Sequence, residues 1–431
     1  MSDMLAAIRR GLKKTRNIER TSYILNAISS GFMACQSLII LMFLTRRGGI
    51  KEAGIFSIAY SNASFLLYIG LFGIRKYQIS DVDRKYPSGS YIGFRIITCA
   101  CMMVACIIYC IYAYLALGHT VGKITVIFFV CLTSAVQALS DVYEGELQQR
   151  GRLDISVKGA LLRTTAVVTA YLVVITVSGD LQAASICAFF AAFITFMLTI
   201  YNISREFCDR KPTFGLKNMT GLLITGIPLF LAVFLNSYIA NAPKYAIDAC
   251  LGDKYQAIYG FIFMPAFAIG LVCDFIFIPR IVKYSILWND GHYKEFRLMF
   301  LKQAGVITLA TLFALAAAYA AGIPVLSGVF GTDLSAYRKE LMITVAGGGM
   351  LAFVTYFTTI VTIMRRHHLL LLGYGAATAA VMILSKRIVR IFGLAGAVGM
   401  YTVIMTCLAL LFAATVVWLM VRAERGHGRK V

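Results

Sequence analysis

Polar side chains recur at helical spacing inside otherwise apolar stretches of this 431-residue chain. The clearest series lies over residues 124–148 and comprises Ser134, Gln137, Asp141, Glu144 and Gln148. Intervals of three or four residues place these side chains on one face of a helix. A helix end that emerges into water explains Glu144 and Gln148. It explains Gln137 and Asp141 less well, and for these two a cavity-lining role is the alternative.

Two other apolar stretches contain polar residues that need partners. Over 219–248 these residues share one helix face: Ser237, Asn241, Lys244 and Asp248. Lys244 and Asp248 are spaced to form an ion pair, although Lys before Asp is the weaker order. Asp274 lies in LVCDFIFIP, with no cation nearby in sequence, so it must find a structural partner such as Lys302, reach water or bind a proton.

Arg95 and Arg163 lie near one end of their apolar stretches. A charge deep in a membrane costs about 2.5–3.5 kcal/mol and persists mainly where it lines a cavity or is paired. Each arginine alone can snorkel to the membrane surface. Together they can form a cationic cavity, which suits an anionic head group.

Several kinds of chemistry are missing. The five histidines lie in loops or at predicted helix ends, and no CxxC spacing exists, so we expect no metal, cofactor or disulfide. The stretch GHTVGKIT at 118–125 is one residue short of a phosphate-binding loop. The predicted outer turns are too short to hold the acceptor of a membrane enzyme. We therefore expect no catalytic residues.

Long apolar stretches carry these residues. The composition is 59% hydrophobic and 14% charged, and a membrane-spanning helix needs about 20 apolar residues. The chain is therefore predicted to be an all-α polytopic membrane protein. We predict helices at 21–45, 52–74, 91–117, 124–148, 155–178, 181–202, 219–248, 256–280, 296–322, 338–364, 369–390 and 393–421.

Lys and Arg are concentrated in alternate turns, which places both termini in the cytoplasm. The net charge of +21 is therefore attributed to membrane orientation and to contact with anionic lipids, and not to nucleic acid. Helical spacing of Met4, Leu5, Ile8 and Leu12 beside basic residues predicts an amphipathic segment at the cytoplasmic membrane surface.

The loop pattern predicts two six-helix lobes. The long loops 75–90 and 281–295 each follow the second helix of their half, and an even helix number gives both halves the same direction. This predicts a parallel repeat about a pseudo-two-fold axis, with the substrate path between the halves. The predicted organisation is a basic amphipathic segment (1–20), a first lobe (21–203), a cytoplasmic linker (204–218), a second lobe (219–421) and a cytoplasmic tail (422–431). Five of the seven prolines fall in or beside the first three helices of the second half, as static kinks or as hinges.

Three stretches carry a family resemblance: LFGIRKYQISDVDRKYPSGSYIGFRIIT at 71–98, DVYEGELQQRGRLDISVKGALLR at 141–163 and the region 227–279, which includes NAPKYAID. They resemble bacterial polysaccharide exporters of the Wzx flippase type, strongly over residues 20–300. That family belongs to a superfamily with multidrug exporters and lipid II flippases. Lipid II flippases typically have two additional helices after the twelfth. The predicted helices of this chain do not include them, which counts against a lipid II flippase.

The resemblance implies a twelve-helix bundle with a central cationic cavity that moves undecaprenyl-diphosphate-linked sugars outward by alternating access. The matching polar positions are Gln78, Asp81, Arg95, Asp141, Gln148, Arg163, Asn241 and Lys244.

From the residues and the resemblance we expect transport of a lipid-linked oligosaccharide from the inner to the outer leaflet of the bacterial cytoplasmic membrane. The expected substrate-binding residues are Arg95, Arg163, Lys244, Asn241, Gln137 and Asp141. We expect Asp274 to couple transport to an ion or proton, with a structural ion pair as the alternative.

Expected partners are the substrate, membrane lipids, and the glycan polymerase and sugar transferases of the same pathway. Alternative functions are a cation-coupled multidrug exporter and a scaffold for glycan-assembly enzymes. The sequence identifies neither the glycan nor the coupling ion.

Overall fold

The computed structural model describes residues 10–15, 18–81, 85–209, 211–277 and 280–427. The described residues are helical or in short connections, and the chain divides into two compact units, Met1–Phe234 and Leu235–Val431. The predicted lobe boundary at 204–218 stays a prediction.

The first unit is built from consecutive helices joined by short turns. They are α1 (Ile18–Arg47), α2 (Ile50–Leu71), α3 (Ile74–Ser80), α4 (Ser88–Leu117), α5 (Val121–Gln149), α6 (Leu153–Ser178), α7 (Leu181–Phe196) and the first part of α8 (Leu216–Cys250). A π-helical turn, Met197–Tyr201, extends α7. Since α5 packs against α2, α3, α4, α6 and α7, the polar face predicted on α5 lies at the centre of this unit.

The second unit contains the rest of α8 and five further helices. They are α9 (Asp253–Phe277), α10 (Ile281–Asn289), α11 (Tyr293–Ala317), α12 (Arg338–Ile363) and α13 (His367–His427). A π-helical turn and the short helix Ile323–Phe330 extend α11. Helix α8 is bent by 50° between Leu216–Ile227 and Phe230–Cys250, where the sequence has Pro228. Proline removes a backbone donor and is a common cause of such bends.

Among the described residues, ten helices are long and apolar enough to cross a membrane, or eleven if bent α8 counts as one span. Helix α13 has non-helical backbone at Gly393, with φ 59° and ψ −140°. The chain reverses there, because Tyr374 near its start packs edge-on against Phe412 near its end. Counting the two arms of α13 separately gives the predicted twelve spans.

The two units repeat one connection. In the first unit α3 follows the span α2, and in the second unit α10 follows the span α9. Each short helix leads into the next span, α4 and α11 respectively. The loops that the sequence predicts at these places therefore contain helical structure.

The segment before α8 is fixed to the first unit. The Thr213 N–H donates to the Gly89 carbonyl at 2.9 Å, and Asn218 Nδ2 donates to Ser90 Oγ at 2.9 Å. A Cβ at Gly89 would lie 2.6 Å from the Lys211 carbonyl oxygen, so glycine permits this close approach. The contacts explain why the beginning of α8 belongs to the first unit.

The amino-terminal segment is also docked on the first unit. Residues 10–13 are helical and Leu12 is buried. Lys158 Nζ donates to the Leu12 carbonyl and to Thr15 Oγ1, both at 2.9 Å. The predicted apolar positions Met4, Leu5 and Ile8 lie outside the described residues.

Three consecutive glycines allow α12 to pack closely on three neighbouring helices. A Cβ at Gly347 would meet Tyr401 and Thr402 of α13, one at Gly348 would meet Ala266 of α9, and one at Gly349 would meet Thr311 of α11. For Gly348 the separation from the Ala266 Cβ would be 2.5 Å. No side chain fits there without movement of the backbone.

We expect Gly348→Ala to lower the thermal unfolding temperature of the detergent-solubilised protein, because overpacking a close helix contact costs about 1–3 kcal/mol. Gly399→Ala is the matched control, since a Cβ there would have no atom within 4 Å. Equal unfolding temperatures for the two variants would contradict the packing described for α12.

Candidate functional site

Five charged side chains meet at the centre of the first unit. Helix α5 contributes two carboxylates, and the surrounding helices α3, α4 and α6 contribute one guanidinium each. We call this set the charge cluster: Arg75, Arg95, Asp141, Glu144 and Arg163.

Arg95 holds α4 against α2 and α5. Its side chain is 2% exposed. The guanidinium donates to the Gly70 carbonyl at the end of α2 and, through Nη2, to Asp141 Oδ2 at 2.7 Å. Thr98, one turn further along α4, also donates to the Gly70 carbonyl. Arg95 is therefore a structural centre of the unit and does not snorkel to the surface.

Arg163 forms the corresponding contact between α6 and α5. Its Nη1 donates to Glu144 Oε1 at 2.9 Å, and the side chains are 6% and 7% exposed respectively. Ser140 Oγ donates to the same carboxylate oxygen at 2.6 Å. The interpretation of Glu144 as a solvated helix end is wrong, because ion pairs from other helices hold this carboxylate inside the unit.

Arg75 bridges both carboxylates from α3. Its Nη1 donates to Asp141 Oδ1 at 2.7 Å and to Glu144 Oε2 at 3.3 Å, and its Nη2 donates to Gln148 Oε1 at 3.0 Å. Burial lowers the pKa of Arg75, but the carboxylates of Asp141 and Glu144 raise it more, so the net pKa is above the usual value. The guanidinium therefore stays charged.

The charge cluster contains three guanidinium groups and two carboxylates, so one positive charge is unmatched within it. Arg95 already pairs with Asp141, and Arg163 already pairs with Glu144. Arg75 is the third cation, and its side chain is 28% exposed. If Arg75 moves away, each carboxylate keeps one arginine partner. Arg75 is thus the guanidinium of the cluster that can leave without isolating a buried charge.

The backbone around Phe72 and Gly73 places Arg75 in this position. Both residues have positive φ, 48° and 66° respectively. This left-handed backbone ends α2 at Leu71, and α3 begins only three residues later at Ile74. Phe72 is fixed by stacking on Phe230, with ring centroids 4.4 Å apart. Gln78 Nε2 then donates to the Val142 carbonyl at 3.1 Å, which anchors α3 on α5.

Asp81 closes the other end of α3. The Tyr91 hydroxyl donates to Asp81 Oδ2 at 2.8 Å, and the Lys85 and Tyr86 N–H groups also donate to this carboxylate. Burial raises the pKa of Asp81, but these hydrogen bonds outweigh it and hold the pKa below its usual value. The connection that carries Arg75 is therefore tied down at both ends.

Arg75 and Asp141 face a cavity of about 400 Å³, which we call the large cavity. Its other walls are mostly apolar and come from α2, α3 and α8. The described lining residues are Tyr68, Leu71, Gly73, Arg75, Ile79, Asp141, Phe230 and Val233. A cationic group on a mostly apolar wall is suited to a ligand with an anionic group beside an apolar one.

Gln137 does not reach the large cavity. It lines a separate small cavity of about 50 Å³, together with Arg163. The residues predicted on one face of α5 are therefore divided between two cavities.

The remaining predicted site residues lie in the second unit. Asn241 Nδ2 donates to the Ser237 carbonyl of its own helix at 3.0 Å. Lys244 Nζ lies 5.8 Å from the ring centroid of Phe263 in a cation–π contact. Asp274 lies in α9, but its side chain is outside the part of the structure that is described.

Three consecutive helices of the second unit meet through aromatic side chains. Phe300 of α11 stacks on Tyr356 of α12, with ring centroids 5.4 Å apart, and Tyr284 of α10 approaches the Tyr356 hydroxyl at 3.1 Å. Arg280, before α10, donates to Gln303 at 3.1 Å. In the second unit α10, α11 and α12 thus meet through aromatic rings, whereas in the first unit α3, α4 and α5 meet through ion pairs.

The structure brings Arg95, Asp141 and Arg163 into one cluster of ion pairs, and their predicted role in substrate binding stays a prediction. Arg75 was missed as a site residue, because a basic residue just after a span looks like an orientation signal. The available signal was the pair Phe72–Gly73 shortly before it, because glycine after a span indicates a helix break. Among the described residues, no group of three or more His, Cys, Asp or Glu side chains is arranged to hold a metal ion.

A family model described as "Polysaccharide biosynthesis protein" matches residues 20–285. None of the curated protein sequences matches the chain significantly. Among solved structures, an inward-facing multidrug resistance MATE family transporter of the MOP superfamily is 10% identical with a TM-score of 0.69, covering 91% of this chain and 95% of that one.

Two further solved structures are similar over most of their length. The lipid II flippase MurJ, in an inward closed conformation, is 12% identical with a TM-score of 0.70, covering 93% of this chain and 90% of that one. A MOP superfamily transporter from Pyrococcus furiosus is 12% identical with a TM-score of 0.58, covering 94% and 95%. At these identities the likeness shows the fold.

A double-mutant cycle tests whether Arg163 and Glu144 stabilise the unit as a pair. We expect Arg163→Met to destabilise strongly, since it leaves a buried carboxylate with one arginine fewer. Adding Glu144→Gln should recover part of this loss, with a coupling of about 1–3 kcal/mol in thermal or denaturant unfolding. Strict additivity of the two single effects would contradict the pairing.

Proposed function

Because the chain belongs to the polysaccharide biosynthesis protein family, we propose that it moves a lipid-linked oligosaccharide, attached through a diphosphate to undecaprenol, from the inner to the outer leaflet of the bacterial cytoplasmic membrane. The predicted family is confirmed, and so is the all-helical multi-pass membrane fold. The coarse function, a transporter of polysaccharide biosynthesis and not an enzyme, follows from this membership. The identity of the substrate, the direction in which it is moved and the orientation of the termini belong to the proposal.

The observation that supports this substrate most directly is the position of Arg75. Its guanidinium faces the large cavity, and the charge cluster keeps one arginine for each carboxylate without it. Arginine binds phosphate through two parallel N–H donors. A diphosphate that enters the large cavity can therefore take Arg75 from the carboxylates and leave the unit intact.

Arg95 and Arg163 have a supporting role in this proposal. They hold Asp141 and Glu144 in place and balance the charges of these two carboxylates, so that the charge of Arg75 stays in excess. Asp141 orients Arg75 when no substrate is bound. Lys244 and Asn241 of the second unit contact the head group at another stage of transit.

The apolar walls of the large cavity fit the rest of the substrate. Phe230 and Val233 of α8, with Leu71 of α2, offer contact for the first part of an isoprenoid chain beside the diphosphate. Two negative charges that leave an inside-negative cytoplasm across about 100 mV gain roughly 4–5 kcal/mol. The membrane potential thus favours outward movement.

The proposed partners are membrane lipids and the polymerase and sugar transferases of the same pathway. Export of cationic drugs is the alternative that the MATE-like fold suggests. The charge cluster, whose Arg75 and Asp141 line the large cavity, contains three guanidinium groups and two carboxylates, and this excess of positive charge argues against it. A scaffold needs no buried charge cluster.

Replacing Arg75 tests the proposal. We expect Arg75→Gln to reduce flipping of an undecaprenyl-diphosphate-linked oligosaccharide in proteoliposomes by about 10- to 100-fold. This is the effect of losing a hydrogen bond to a charged group, which contributes about 1.5–3 kcal/mol. Arg75→Lys should be intermediate, because it keeps the charge but loses the planar fork. Surface glycan in a complemented deletion strain should fall in the same order.

Arg47→Gln, at the exposed end of α1, is the matched control for loss of one positive charge. Protein levels in the membrane are compared by immunoblot, so that a folding defect is visible. Wild-type flipping by a well-expressed Arg75→Gln protein would overturn the assignment of Arg75.

A further inference from the structure

The small cavity inside the first unit is separate from the large one and has a different lining. It lies among α1, α2, α5, α6 and α7 and has a volume of about 50 Å³. The described lining residues are Gln36, Ile40, Phe56, Tyr60, Val130, Thr133, Ser134, Gln137, Arg163, Thr164, Val167, Tyr171 and Ala192. One of them, Arg163, is a cation, and none of these described residues is a carboxylate.

Arg163 has donors to spare at this cavity. The residue is 5% exposed. Its Nη1 donates to Glu144, which is its hydrogen bond acceptor among the described residues. The remaining nitrogens of the guanidinium, Nε and Nη2, are therefore available to a ligand inside the cavity. A buried guanidinium with unused donors is costly unless a ligand or water accepts from them.

Neutral donors complete the lining. Gln36 Nε2 donates to the Tyr60 hydroxyl oxygen at 3.3 Å, and within the described part of the chain the Tyr60 O–H donates to no other residue. Ser134 and Gln137, one turn apart on α5, have no hydrogen bond to another described residue and line the same space. By contrast, Thr133 and Thr164 donate to carbonyls of their own helices. The cavity thus offers donors from three helices.

We infer that the small cavity is a binding site for a small monovalent anion, with chloride as the physiological ion of that size. A cation such as sodium would meet a guanidinium and no carboxylate among the described lining residues. An anion there would accept from the Arg163 nitrogens that do not donate to Glu144. A bound water needs about 10–15 Å³, so a space of about 50 Å³ is large enough for a small monovalent ion.

The anion site does not depend on the proposed function, and its test uses no lipid substrate. Thermal unfolding of the full-length protein in detergent is measured in potassium chloride and in potassium gluconate at equal ionic strength. A ligand that binds only the folded state raises the unfolding temperature saturably with its concentration. We expect such a rise with chloride and with bromide, and none with the larger gluconate.

The double variant Ser134→Ala/Gln137→Leu removes two donors and leaves the Arg163–Glu144 pair in place. We expect it to weaken the apparent chloride affinity at least tenfold. Thr165→Ala is the matched control, because Thr165 lies two residues from Arg163 on α6 but is exposed, and it should respond as wild type. If the double variant does not fold, Ser134→Ala alone is compared by ³⁵Cl NMR line broadening with bromide competition.

Two results would overturn the inference. Identical unfolding temperatures in chloride and gluconate would show that the cavity holds water only. A chloride effect that persists in the Ser134 and Gln137 variants but is lost in Arg75→Gln would place the anion at the large cavity instead.

Discussion

The first unit depends on one electrostatic constraint: charges removed from water must be paired with other charges. Helix α5 carries two carboxylates inward, and each is held by an arginine from a different helix at 2.7 or 2.9 Å. Loss of one partner from such a pair is strongly destabilising, because the other charge stays buried alone. The pairs therefore fix α4 and α6 around α5. They also leave Arg75 as the one cation of the charge cluster that has no carboxylate of its own, so that Arg75 can pair with an anionic ligand.

The second unit shows that three consecutive helices of this chain can meet without ion pairs. There α10, α11 and α12 meet through Tyr284, Phe300 and Tyr356. Aromatic rings pack there with one hydroxyl–hydroxyl contact and with no ion pair among these residues. In the charge cluster of the first unit, the three guanidinium groups outnumber the two carboxylates. Recognition of an anionic group beside the large cavity is consistent with their excess of positive charge.

Much of the fold could be predicted because it follows from local sequence. Apolar stretches of membrane length indicate the spans, and the loops after α2 and α9 indicate the repeat. The partners of the charged residues could not be predicted, because they are far apart in the chain: Arg75 lies 66 residues from Asp141, and Arg95 lies 46 residues from it. Helical spacing identified the face of α5 correctly but not its division between two cavities. Glu144 was misinterpreted for the same reason, since its partner lies on α6.

The central claim is that Arg75 is exchanged between the carboxylates and an anionic substrate while the other two pairs persist. The most direct measurement is a cryo-electron microscopy structure of the full-length protein with undecaprenyl diphosphate. The account predicts phosphate oxygens within about 3 Å of the Arg75 guanidinium, with Arg95 still on Asp141 and Arg163 still on Glu144. A diphosphate bound with Arg75 still on both carboxylates, or bound by Arg95 or Arg163 with their pairs broken, would contradict it.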